Sequence, residues 1–197
     1  MADCGCRDEV ETLERRTLWV LLLINSAMFL AEAVIGWVAE STGLLADSLD
    51  MLADAMVYGT ALYAVGRSTT LKHRAASVSG WIQIALGIGV IIEVIRRLVM
   101  GSEPVSVLMI VTGMIAFIAN VTCLILLAKH RSGEVHMRAS WIFSTNDVIA
   151  NAGVILSGLI VMWSGSRIPD LAIGAVVSAI VIRGGCVILW ESRGQPQ

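Results

Sequence analysis

Residues 44–66 read LLADSLDMLADAMVYGTALYAVG, and the fold of the whole chain turns on how this stretch is read. It is apolar over a length that suits a membrane-crossing helix, yet its first half carries Asp47, Asp50 and Asp54. A helix turns each residue by about 100°, so spacings of three and four set these carboxylates on one narrow face. An acidic side chain at mid-membrane depth costs about 2.5–3.5 kcal/mol on insertion scales. Three of them on one face must point at water, at a cation or at each other.

The surrounding composition says that the solvent is lipid. Of 197 residues, 56% are hydrophobic and only 15% charged, with a mean hydropathy of +0.78. This lies outside the soluble globular range. Six apolar runs, near 17–39, 43–66, 76–99, 106–128, 139–164 and 168–190, are each long enough to cross a hydrocarbon core of about 30 Å as a helix. The expected fold is therefore all-α: a polytopic integral membrane protein of six transmembrane helices with short loops. The helices occupy 17–190, between an N-terminal tail (1–16) and a C-terminal tail (191–197). The N-terminal region lacks a convincing signal-peptide pattern, so the first apolar run is expected to be retained.

Basic residues in the connections set the orientation. Arg67, Lys72 and Arg74 follow the second run, and Lys129, Arg131 and Arg138 follow the fourth. Arg7, Arg15 and Arg16 precede the first, and Arg193 follows the sixth. All fall on one side, which places both termini in the cytoplasm of a multi-pass cell (inner) membrane protein. Arg96 and Arg97 break the pattern and are expected to snorkel to the interface beside Glu103. No basic stripe with interleaved aromatics is present, which argues against nucleic acid.

Each polar residue inside a span is a functional candidate. In the first span Asn25 and Glu32 share a face, two turns apart, where Glu32 lines a cavity or pairs with an inner residue. Glu93 stands four residues before Arg97, the spacing of an ion pair. Asn120 suits an interhelical hydrogen bond. Arg183 calls for a carboxylate partner or a reach to water. The fifth span carries Asn146, Asp147 and Asn151, and its hexamer 147–152 (DVIANA) matches residues 50–55 (DMLADA). Asp50 then corresponds to Asp147 and Asp54 to Asn151. Two helices offering oxygens at such spacing can face each other around one divalent cation. A purely structural alternative pairs Asp147 with Arg183.

Taken together, these residues resemble the membrane domain of the cation diffusion facilitator (cation efflux) family. The likeness covers roughly residues 15–193. Residues 43–54, GLLADSLDMLAD, resemble the second-helix signature in which a metal ligand is followed four residues later by Asp, which places Asp50 and Asp54 in the site. Glu32 and Asn120 match a first-helix glutamate and a fourth-helix asparagine. Residues 138–153 resemble the fifth-helix segment with its His-x-x-x-Asp, where Phe143 stands at the histidine position and Asp147 at the aspartate. Pro169-Asp170 and Trp190-Glu191-Ser192 resemble the entry to and exit from the sixth helix. The family's usual C-terminal cytoplasmic domain, which dimerises and senses metal, has no counterpart in the sequence.

The resemblance implies a secondary transporter, not an enzyme, that exports a divalent metal cation in exchange for protons. Asp50, Asp54, Asp147, Asn151 and Asp47 are the expected metal residues, with Glu32, Asn25 and Asn146 lining the cavity or coupling protons. An oxygen-only set favours manganese, iron or cobalt-like ions more than a histidine-bearing zinc site does. The protonation of such close carboxylates belongs to the cluster rather than to single residues. The metal is the transported substrate and no tightly bound cofactor is expected. The partners are the cation, protons, the lipid bilayer and, as a compatible arrangement, a second copy in a homodimer. Two other classes fit parts of the pattern: a non-transporting metal-binding or sensing subunit of an efflux complex, and an intramembrane aspartyl protease, whose glycine-aspartate signature is missing.

Smaller features complete the reading. Cys4 and Cys6 offer two thiolates for metal capture, which need further ligands to close a tetrahedral site. His73, His130 and His136 are expected as solvated loop residues. Trp19, Trp37, Trp141, Trp163 and Trp190 stand near span ends, as interfacial anchors do. The glycines of GIGVI (87–91) and IRGGC (182–186) suit close helix packing.

Overall fold

The computed structural model describes the backbone of residues 3–64, 69–128 and 135–193, and side chains at 15–60, 62–63, 74, 77–126 and 147–190. The described residues form six helices joined by short connections: α1 (Asp3–Val38), α2 (Thr42–Ala64), α3 (Thr69–Met100), α4 (Ser106–Ala128), α5 (Val135–Ser164) and α6 (Ile168–Arg193). Five of them, all but α2, are long and apolar enough to cross a membrane. α2 has 23 residues, about 35 Å of helix, and so matches them in length. What sets it apart is the acidic face anticipated from its sequence.

Hydropathy locates where lipid begins, not where backbone hydrogen bonding begins, and the helix limits show the difference. α1 is already helical at Asp3, so the expected tail continues the first helix. α3 and α5 start at Thr69 and Val135, ahead of their apolar runs. His73 and His136 therefore stand on helical backbone rather than in loops, which corrects that expectation. Their side chains, and the whole of His130, lie outside the described residues.

α2 is the hub. It packs against α1, α3, α4, α5 and α6, and no other helix touches all five neighbours among the described residues. Around it α3 pairs with α6 and α4 with α5. Apart from Tyr63 near the end of α2, the large exposed apolar side chains lie outside α2, from Leu23 and Val34 of α1 to Ile149 of α5 and Val176 of α6. Asn25, Glu32, Asp47, Asn120, Asp147 and Asn151 instead face inward, as a lipid solvent demands. Trp19, Trp37, Trp163 and Trp190 are exposed near the span ends.

Two devices fix the depth of α2. Ser41 caps its first turn, accepting from Leu44 N at 3.1 Å. Asp170, fully buried at the start of α6, then takes the free donors of that turn. Its carboxylate accepts from Ser41 Oγ (2.6 Å), Thr42 N (2.7 Å), Thr42 Oγ1 (2.9 Å) and Gly43 N (3.0 Å). This supplies both the missing acceptors and a negative charge at a helix N-terminus. The backbones must come close for that. A Cβ on Gly174 would stand 2.8 Å from Thr42, and one on Gly43 2.8 Å from Ile173.

The α3 end is a second correction. Arg97 does not snorkel: it is 3% exposed, and its Nε donates to Glu93 Oε1 at 2.6 Å. Arg96 donates to both Glu93 oxygens at 2.7 Å. Glu103 engages elsewhere, its backbone N donating to Glu40 Oε2 at 3.0 Å. A carboxylate one turn away is a nearer partner than the interface, so the i,i+4 pair wins.

Candidate cation site

The inward face of α2 carries a column of polar groups in three levels. Asp47 to Tyr58 spans eleven residues, about 16 Å along the axis. Because α1 and α5 flank α2 in the opposite sense, their polar residues meet these levels in reverse sequence order.

The level nearest the α2 N-terminus joins Glu32 of α1, Asp47 of α2 and Asn151 of α5, each fully buried. Asn151 Nδ2 donates to Asp47 Oδ1 at 2.8 Å. The Glu32 carboxyl stands within hydrogen-bonding reach of Asp47.

The middle level is the meeting of α2 with α5. Asp147, 7% exposed, stands within hydrogen-bonding reach of both Asp50 and Asp54. Two carboxyls at that distance must share a proton or a cation, since carboxylate oxygens alone only accept. Among the described residues the ion pairs all involve Glu93, so no basic side chain neutralises this cluster. Arg183 is exposed on α6 and forms no ion pair with Asp147, which removes the structural alternative for that aspartate. The carboxyls meet pairwise through Asp147 and are not preassembled as a cage. Among the described residues no three His, Cys, Asp or Glu side chains stand in ion-holding geometry.

The third level lies toward the α2 C-terminus. Tyr58, 2% exposed, donates from its hydroxyl to Asp54 Oδ2 at 3.2 Å. Beyond it Asn25 Nδ2 donates to Leu21 O at 2.9 Å and approaches Cys123 Sγ at 3.9 Å. Asn120, one turn from Cys123, is equally buried, with its Nδ2 unpartnered.

The structure thus brings Asp50, Asp54 and Asp147 together and sets Asp47 with Glu32 and Asn151 one turn away. The hexamer match made Asn151 the counterpart of Asp54 without naming its partner; in the antiparallel packing Asn151 reaches Asp47. Asn25 belongs to the third level, apart from Glu32. Asn146, Cys4 and Cys6 have side chains outside the described residues. Tyr58 was not singled out from the sequence, although its spacing of four from Asp54 was a usable signal. Asp170 entered only as part of a family resemblance, because nothing local foretells which helix end it will cap.

Residues 18–194 match a family model described as the cation efflux transmembrane domain. The chain is similar to the zinc transporter ZitB of Yersinia pseudotuberculosis serotype I, at 25% identity over 92% of this chain and 64% of that protein. It is also similar to the metal cation efflux system protein CzcD of Cupriavidus metallidurans, at 23% identity over 90% of this chain and 60% of that protein. A third relative is the cadmium, cobalt and zinc/H(+)-K(+) antiporter of Bacillus velezensis, at 22% identity over 90% of this chain and 61% of that protein. The chain spans about three-fifths of the length of these curated relatives.

Proposed function

Because the chain belongs to the cation efflux family, a family of transporters rather than enzymes, we propose that it moves a divalent metal cation out of the cytoplasm in exchange for protons, by alternating access. The observation that carries this reading is the contact of Asp147 with Asp50 and Asp54 inside the bundle without a basic partner. In lipid such a cluster is costly unless something positive occupies it. A dication and protons are the two species that neutralise carboxylates at that depth, and they compete for the same oxygens. Exchange follows: the cation displaces protons from the cluster when the site faces one side, and protons return when it faces the other.

Asp50, Asp54 and Asp147 supply the first ligands, and Tyr58 holds Asp54 in orientation through its hydroxyl. The oxygen character of the set favours manganese, iron or cobalt-like ions, with zinc retained as a candidate because ZitB carries zinc in its name. Both termini lie in the cytoplasm in this reading, on the side rich in Lys and Arg.

The test is flux in proteoliposomes bearing a trapped metal indicator, with Zn, Mn, Fe, Co, Ni and Cd offered in turn across an imposed pH gradient. Flux is expected to accelerate with the gradient and to be lost in Asp54→Asn and Asp147→Asn. Unchanged flux in both variants overturns the mechanism. Metal binding by the wild type without flux would point to the sensing subunit instead.

A further inference from the structure

We propose that Glu32, Asp47 and Asn151 form a second cation site, built of hard oxygen donors and set one helical turn nearer the α2 N-terminus than the Asp50–Asp54–Asp147 cluster. All three side chains are 0% exposed. Four of their oxygens accept from no donor: both Glu32 oxygens, Asp47 Oδ2 and Asn151 Oδ1. Glu32 and Asp47 lie within reach of each other, where a shared proton or a cation must stand between them. The bond from Asn151 Nδ2 to Asp47 Oδ1 orients the pair and leaves those lone pairs free. An orphaned buried oxygen is costly, and four in one place, drawn from three helices, are costly together. The charged groups facing Glu32 are Asp47 and Asp50, so the local field is negative.

The chemistry of the occupant follows from the donors. Two carboxylates neutralise a dication, and the amide oxygen adds a third ligand without charge. No imidazole or thiolate takes part, so a hard ion of the manganese or magnesium kind is favoured over cadmium. The step from Asp147 to Asn151 along α5 is about 6 Å, short enough for a cation to pass between the two levels on its way along α2. The passage rests on the transport reading above, whereas the binding does not.

The experiment uses the purified full chain in detergent, titrated with Mn²⁺ by calorimetry and by the electron paramagnetic resonance signal of the free ion, with Zn²⁺ titrated in parallel. The variant carrying both Asp54→Asn and Asp147→Asn is expected to retain one equivalent of Mn²⁺. Adding Glu32→Gln to it removes that equivalent, and adding Asn151→Ala weakens it by at least about tenfold. A double variant that binds no Mn²⁺, or whose binding ignores both Glu32→Gln and Asn151→Ala, overturns the second site. A wild type that binds Zn²⁺ but no Mn²⁺ also overturns it and leaves the transport reading standing. Binding untouched in the double variant yet lost with Glu32→Gln sinks the middle cluster and keeps the second site. Should Glu32→Gln fail to fold, Asn151→Ala decides alone.

Discussion

Replacing Asp170 tests the claim that α2 is held at its depth by a carboxylate from another helix. The wild-type carboxylate is fully buried and accepts from four groups, two on each oxygen. Asp170→Asn keeps the volume but only one acceptor oxygen, so two of the four bonds are lost and an amide N–H₂ is turned toward donors. A hydrogen bond to a charged group is worth about 1.5–3 kcal/mol, and polar contacts between membrane helices fall at or below the low end of that range. At about 1.5 kcal/mol per bond, Asp170→Asn costs about 3 kcal/mol and Asp170→Ala about 6 kcal/mol. Thr42→Val removes the hydroxyl bond alone and should cost about 1.5 kcal/mol, since Thr42 N still donates. The assay is unfolding in mixed micelles of increasing SDS content, followed by far-ultraviolet circular dichroism. The reasoning fails if Asp170→Asn unfolds with the wild type, or if the alanine variant is no worse than the asparagine one.

Cation affinity should rise with pH, because carboxylates must lose protons before they ligate, and each bound ion should release protons in weakly buffered calorimetry. Affinity that ignores pH would contradict the exchange scheme. Gly185→Ala puts a methyl 2.8 Å from Gly80 O, a backbone atom that cannot turn aside, and should cost about 1–3 kcal/mol by separating α3 from α6. Gly89→Ala, with nothing within 4 Å, should instead be neutral or stabilise by up to about 1 kcal/mol. Thermal shift in detergent separates the two. Glu93→Gln leaves the buried Arg97 guanidinium without its carboxylate and should cost about 2 kcal/mol, less than the 3–5 kcal/mol of a fully buried pair, because Glu93 is 18% exposed. Arg96→Gln, at a side chain 50% exposed, should cost under about 1 kcal/mol in the same unfolding titration.

The legibility of the site varied by residue for physical reasons. Asp50 and Asp54 could be singled out as candidates because an acidic pair four apart inside an apolar run is too costly in lipid to serve packing alone. The Glu93–Arg97 pair was legible because both partners lie on one helix, a turn apart. The sequence match made Asn151 the counterpart of Asp54 without naming its neighbour, and the structure sets it opposite Asp47. Correspondence between hexamers says nothing about which way two helices run past each other. Of the glycines read as packing residues, Gly87 and Gly185 do meet a neighbouring helix, while Gly89 faces open space. Only the rotation of α3 decides between Gly87 and Gly89.

The amino-acid order by itself fixed that the chain is a bundle of membrane-length helices, and that the second of them carries acids on one face. Both follow from periodicity and transfer free energy, which need no partner to be evaluated. Only the packed structure decided that α2 stands at the centre, touching every other helix, with Asp47 fully buried and Asp50 and Asp54 half-buried against α5. The grouping of Asp147 with Asp50 and Asp54 was already expected from the residues and the family resemblance. The packed structure alone decided that Glu32 and Asn151 join Asp47, and that Asp170 closes the α2 N-terminus. Those are choices of neighbour and of depth. They are set by which helix faces exclude lipid together, a property of the assembled bundle that no single helix carries.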